Sequence, residues 1–188
     1  EGSWERNFVK LINPLGEENS VMRTVLMPNM MEVLARNYTR NIDKVNAFEI
    51  GNTFVNNTQE DDVLPYEQYA LCIGMYGKDE DFYSLKGVVE ELFRVLGIKE
   101  PIFAGEADLG AFHPGRCARI SVISGENGEP VQLGVMGEVH PDVAEQYGME
   151  GVRIYCCELM FDAIRDNSDR TILYTPLPKS PSPSRDIA

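Results

Sequence analysis

NPLGEENSVMRTVLMPNMMEVLARNYTRNIDKVNAFEIGNTF, running from Asn13 to Phe54, is the stretch whose reading decides the architecture. Pro28 suits the first turn of a helix, where its missing N–H would have no partner in any case and its φ is already helical. Met30, Met31, Leu34 and Tyr38 then recur at helical spacing and predict a helix to about Thr39 with one buried stripe. Val45 to Phe54 reads as a strand, with Gly51 predicting a bulge. Upstream, Ser20 predicts a cap for a short helical turn through Leu26, and Phe8 to Ile12 reads as a brief strand ended by Asn13-Pro14.

The rest of the chain alternates in the same way. Asn56 to Pro65 is a polar loop, and Tyr69 to Tyr76 is a mostly apolar strand of the kind buried on both faces. Asp81 predicts a cap for a helix from Phe82 to Leu96, whose inner stripe is Phe82, Leu85, Val89, Leu92, Phe93 and Leu96, with Gly97 as its stop. Pro101 to Ala104 is a short strand. Arg116 to Ile123 and Val131 to Val139 flank a turn signalled by Asn127-Gly128. A short helix over His140 to Tyr147, a strand over Val152 to Leu159 and a helix over Met160 to Asp166 follow. Thr171 to Ser184 is proline-rich and reads as extended. Several antiparallel strands with helices set between them predict an α+β fold, a mostly antiparallel sheet flanked by helices.

At 188 residues and 43% hydrophobic content, the chain can build one sizeable core. It has no apolar run near the ~18 residues of a membrane span and no charged-then-apolar leader. It starts at Glu1 and stops at Ala188 where an apolar strand is about to begin, so both ends read as cuts in a longer protein. The formal charge is −13, which repels polyanions on average and argues against a main nucleic-acid-gripping surface. Cys72, Cys117, Cys156 and Cys157 lack metal-ligand spacing and read as buried free thiols, which suits the reducing cytoplasm.

Five blocks carry a resemblance. The opening stretch, FYSLKGVVEELFRVLGI (Phe82 to Ile98), FHPGRCARI (Phe112 to Ile120), LGVMGEVHPDVAEQYGM (Leu133 to Met149) and PSPSRDIA (Pro181 to Ala188) lie in one order along the chain. In content and order they are similar to the core module in the beta chain of bacterial phenylalanyl-tRNA synthetases. The resemblance implies a class II aminoacyl-tRNA synthetase-like core. It also implies a module over residues 1–175 and a proline-rich linker over 176–188, leading to a further domain. The family is a cytoplasmic ligase in which alpha chains carry ATP and phenylalanine. Beta chains support them in an α2β2 heterotetramer and help to hold tRNA(Phe). ATP and magnesium would then belong to the parent complex, as would editing and anticodon contacts, and this chain itself would need no cofactor.

The resemblance can be tested by chemistry. Class II enzymes clamp phosphate with two arginines, one in a Phe-Arg-any-Glu strand and one ending a glycine-rich strand and helix. The first window here reads Phe54, Val55, Asn56, Asn57, and no uncharged side chain replaces a guanidinium fork. The second, Val152 to Ile164, reads VRIYCCELMFDAI, without a glycine pair or an arginine at its helical end; Arg153 lies at the start of the strand. The expectation is a core that keeps the fold without the reaction and pairs with the catalytic chain. Two rival readings are an ATP-dependent carboxylate-activating enzyme with atypical residues and a stand-alone RNA-binding or adaptor domain.

Seven residues are candidates for the subunit interface or for a relic pocket. Arg23 either faces the partner or pocket, or makes a salt bridge that fixes the start of the helix. Asn37 and Arg40 either face the catalytic chain or merely complement the helix C-terminus. Lys86 either enters the pocket or lies along the helix edge with its amine in water. His113 and Arg116, in His-Pro-Gly-Arg, mimic an active site but lack an oriented partner for a general base. Glu138, with His140, could offer two metal ligands, too few for a site. An uncovered partner surface also predicts self-association of this chain through the Asn13 to Arg40 region.

Overall fold

The computed structural model describes residues 8–16, 20–56, 64–124, 128–169 and 171. The chain order is α1 (Met27–Tyr38), β1 (Val45–Val55), β2 (Tyr66–Tyr76), α2 (Phe82–Leu96), β3 (Ile102–Glu106), β4 (Phe112–Ser124), β5 (Glu129–Val139), α3 (Pro141–Gln146), β6 (Ile154–Met160) and α4 (Phe161–Asp166). The strands form one six-stranded sheet in the order β1-β2-β6-β5-β4-β3. Every neighbouring pair is antiparallel.

The sheet carries helices on both faces, which is why its middle strands read as mostly apolar runs. From β2, Leu71, Ile73 and Met75 point to one face and join Leu85, Val89 and Phe93 of α2 and Ile164 of α4. Ala70, Cys72 and Tyr76 point to the other face, against Met27, Met30, Met31 and Leu34 of α1 and Ala144 of α3. In β6, Tyr155, Cys157 and Leu159 belong to the α2 face, and Ile154 and Cys156 to the α1 face. Helix α1 can lie close on β2 because Gly74 has no side chain; a Cβ there would stand 2.5 Å from Met30 Cγ.

Helix α2 begins as its sequence predicts. Asp81 accepts from Ser84 N at 2.7 Å while the Ser84 hydroxyl meets the Asp81 N–H, a reciprocal cap. Gly97 ends the helix at φ 73°, the left-handed conformation that glycine adopts without strain.

Several expectations are corrected. Phe8 to Ile12 is not a strand: only Lys10 bridges Val21, because a single pair of backbone bonds does not propagate a ladder. Ser20 starts no helical turn, since Val21 is taken by that bridge and helix begins only at Met27. Gly51 is no bulge; β1 pairs with β2 in unbroken register, and the glycine instead makes room for Arg23. The irregularities lie between β4 and β5: residues 113–116 of β4 stand against Glu138 alone, and the shift between Ile120 and Ser121 leaves Leu133 of β5 without an opposite residue. Strand β2 also starts earlier than predicted, at Tyr66. The loop over 57–63, Asn127 of the predicted turn and the proline-rich stretch beyond Thr171 lie outside the described residues. No helix among the described residues is long and apolar enough to cross a membrane.

All four cysteines are free and buried. Burial raises the thiols of Cys72, Cys117 and Cys157 above their ordinary range and pushes Cys156 up to about 12. Since the thiolate is the reactive form, a disulfide-exchange reagent at pH 8 is expected to leave the native chain unlabelled and to titrate all four thiols in guanidinium. Fast labelling of the folded chain would mean that the sheet opens locally.

Candidate functional site

The register places one row of side chains across the α1 face. Glu49 of β1 pairs with Cys72 of β2, Cys72 with Glu158 of β6, Glu158 with Val135 of β5, and Val135 with Arg119 of β4. Over the Glu158 to Arg119 part of this row the sheet is not fully covered. A cleft of about 700 Å³ opens there. Gln68, Gln132, Gly134, Glu158 and Arg119 form its floor. Met27, Pro28 and Met31 of α1, Val143 of α3, Tyr147, and the 108–112 segment form its walls.

Glu158 sits where α1 begins. Leu26, the residue before the helix, offers no capping side chain. The Glu158 carboxylate, on the same face of the sheet, caps the helix, accepting from Leu26 N at 3.0 Å on both oxygens and from Met27 N at 2.9 Å. Negative charge at that end also suits the helix dipole.

Arg119, the only arginine among the described residues lining the cleft, is likewise held by a carboxylate. Its Nε donates to Glu106 Oε2 at 2.6 Å. The other Glu106 oxygen accepts from Ala107 N and Asp108 N. The Arg119 hydrogen bond, aided by these amides, holds the Glu106 carboxyl below the usual carboxylate range.

The candidates predicted from sequence do not converge on this cleft. Arg23 is a clamp on β1: Nη1 reaches Glu49 Oε1 at 2.6 Å and Nε donates to Asn52 O at 2.9 Å, over the bare backbone of Gly51. The salt bridge it makes is to Glu49 of β1. Asn37 Nδ2 donates back to Val33 O at 2.8 Å, and Arg40 is exposed just past α1. Lys86 lies on α2, across the sheet from the cleft, paired with Glu90 and 4.7 Å over the Phe103 ring. His113 Nδ1 lies 2.7 Å from the carbonyl of Pro114.

Arg116 and Glu138 do come together. Arg116 Nη1 donates to both Glu138 oxygens, at 2.8 and 3.0 Å, and the residue that receives them is only 6% exposed. A carboxylate buried in this way requires its cation. Burial, and next the Glu138 charge, raise the neighbouring Tyr155 hydroxyl above its ordinary range. His140 caps α3, its Nδ1 accepting from Asp142 N at 3.2 Å.

The two phosphate-clamp windows also have an outcome. Val55 ends β1 and Asn56 follows it, with no charge at either position. Helix α4 carries an arginine one residue past Ile164, Arg165, but it is bound to Asp162 and Asp166 on a helix whose buried Ile164 packs on the α2 face. Arg153 lines a separate groove with Tyr38, Tyr76 and Lys78.

Sequence reasoning missed Glu158, Arg119 and Glu106. A signal existed for the first. Glu158 is the only charged residue in IYCCELM, and a lone charge in a strand buried on both faces must find an internal partner.

Comparison with known proteins supplies the context. The family model for the phenylalanyl tRNA synthetase beta chain CLM domain matches residues 1–161. The chain is 43% identical over 188 residues to a phenylalanine–tRNA ligase beta subunit of Clostridium acetobutylicum, covering 100% of this chain and 23% of that protein. It is 40% identical over 183 residues to that of Clostridium tetani, covering 97% of this chain and 22% of the relative. For Carboxydothermus hydrogenoformans the identity is 35% over 190 residues, with 96% of this chain and 23% of the relative covered. The chain thus spans about a quarter of the length of these curated relatives.

Proposed function

The chain belongs to the phenylalanyl-tRNA synthetase beta chain CLM domain family, and on that premise we propose that it is a non-catalytic core module of a phenylalanine–tRNA ligase beta subunit. In this reading it has a class II synthetase-like core that scaffolds a catalytic alpha chain in an α2β2 ligase charging tRNA(Phe) in the cytoplasm. The observation that carries it is the cleft. ATP with magnesium needs converging positive charge, and the residues present do not fit it. Among the described residues its single arginine is bound to Glu106, and its helix end to Glu158.

Equilibrium dialysis of ATP with magnesium, and an adenylate assay with phenylalanine, test this directly. No specific binding at millimolar ATP and no adenylate are expected. Either one, if seen, returns the chain to the class of carboxylate-activating enzymes. The charge of −13 supports weak or no binding of tRNA by this chain alone. A salt-sensitive gel shift of tRNA(Phe) would point to the RNA-binding alternative.

The partner surface is assigned to the β1 edge of the sheet and the adjoining α1. Even-numbered β1 residues turn their N–H and C=O off the sheet. Those of Asn52 and Phe54 meet Arg23. Those of Asn46, Phe48 and Ile50 have no partner among the described residues, and the Phe48 and Ile50 side chains are 72% and 50% exposed. An open, apolar edge is a template for another strand. Leu15, Val21, Val33 and Tyr38 are the large exposed apolar residues in the Asn13 to Arg40 region.

Phe48→Lys with Ile50→Lys is expected to weaken co-purification with an alpha chain at least about tenfold, and to abolish self-association of the isolated chain in sedimentation, because charge blocks edge pairing. Undiminished co-purification would move the interface elsewhere.

A further inference from the structure

The lack of fit between the cleft and a phosphate ligand has a specific cause, and the inference deepens the scaffold reading on which it rests. We propose that Glu158 and Glu106 are built-in counter-anions that occupy the two anion-accepting groups of the cleft, so that it excludes phosphates by prior occupancy.

The geometry is direct. An oxyanion in this cleft would be met by the N–H groups at the start of α1 and by the Arg119 guanidinium, the two kinds of donor that hold phosphate elsewhere. The Leu26 and Met27 N–H groups are 3.0 and 2.9 Å from Glu158 oxygens. Arg119 Nε is 2.6 Å from Glu106. Glu106 does not yield easily, because Ala107 N and Asp108 N also bind its carboxylate. Volume is not the obstacle, since about 700 Å³ would admit a diphosphate. What would be lost are the Glu158 contacts to Leu26 N and Met27 N and the Arg119 Nε contact to Glu106, which an incoming anion would have to replace. A carboxylate fixed in the cleft also repels the newcomer.

Inorganic pyrophosphate is the probe, titrated calorimetrically into the 188-residue chain at constant ionic strength. The wild type is expected to show no saturable binding. The Glu158→Ala, Glu106→Gln double variant is expected to bind at least about tenfold more tightly, the scale of one charge-assisted hydrogen bond. Circular dichroism establishes that the double variant is folded. Should it not fold, Glu106→Gln alone, at a half-buried position, is expected to gain about threefold, since the negative charge opposite Arg119 is removed. Saturable pyrophosphate binding by the wild type overturns the inference, as does a folded variant that gains nothing. These outcomes are separable from failure of the scaffold reading. Wild-type pyrophosphate binding without adenylate formation sinks only the counter-anion inference, whereas adenylate formation sinks the scaffold itself.

Discussion

Glu158→Ala is expected to cost about 3 kcal/mol of stability, because it strips the carboxylate cap from α1 and leaves the Leu26 and Met27 N–H groups without this acceptor. For a chain of this size that corresponds to a fall of roughly 10 °C in melting temperature. The cost is large because the bonds join parts of the chain 131 and 132 positions apart. They tie the most buried helix of one face to a central strand. Glu158→Gln should cost less than half as much, since the amide oxygen still accepts while the charge that favours the helix end is lost. Thermal denaturation followed at 222 nm decides the matter. If Glu158→Ala melts within about 1 °C of wild type, the carboxylate contributes no net capping energy.

Gly134→Ala is expected to be at least as damaging, at about 3 kcal/mol or more, by overpacking in the middle of the sheet. A Cβ at Gly134 would stand 2.3 Å from the Glu158 carbonyl oxygen and 2.9 Å from Leu159 Cα. Both obstacles are backbone of the neighbouring strand β6, so no side-chain rotation relieves the clash. The strands would have to separate beside the Leu133 irregularity, on the floor of the cleft. Gly74→Ala is the internal control. Its nearest obstacles are the flexible Met30 side chain and a Leu34 methyl, which can shift, so it should cost clearly less. Equal losses at the two positions would show that backbone contact is not the deciding factor.

Much of the fold was legible because local rules and tertiary packing agree. Asp81, the stripe from Phe82 to Leu96 and Gly97 each carry their own helix signal, and all are realised together in α2. The apolar runs of β2 and β6 announced burial on two faces. The local rules failed where long-range partners outbid them. Ser20 is a good cap by type, but the bridge at Val21 takes its neighbourhood away. Gly51 fits a bulge by type, yet the glycine serves the passage of Arg23, which is distant in sequence. At the site the same limit applied. Arg116 and Glu138 each stand out by residue type, but nothing local says that one neutralises the other across β4 and β5.

The sequence by itself determined the family, the α+β character, the helix-and-strand order and the absence of charge at the Val55 window, because these depend on residue type and short-range spacing. Only the tertiary structure decided the strand order and where the cleft opens. It also decided which carboxylate meets which donor. Glu158, Arg119 and Glu106 become one site solely because antiparallel register brings β6, β5, β4 and β3 side by side. Register is a property of paired strands, set by packing on both faces at once, and no single segment contains it.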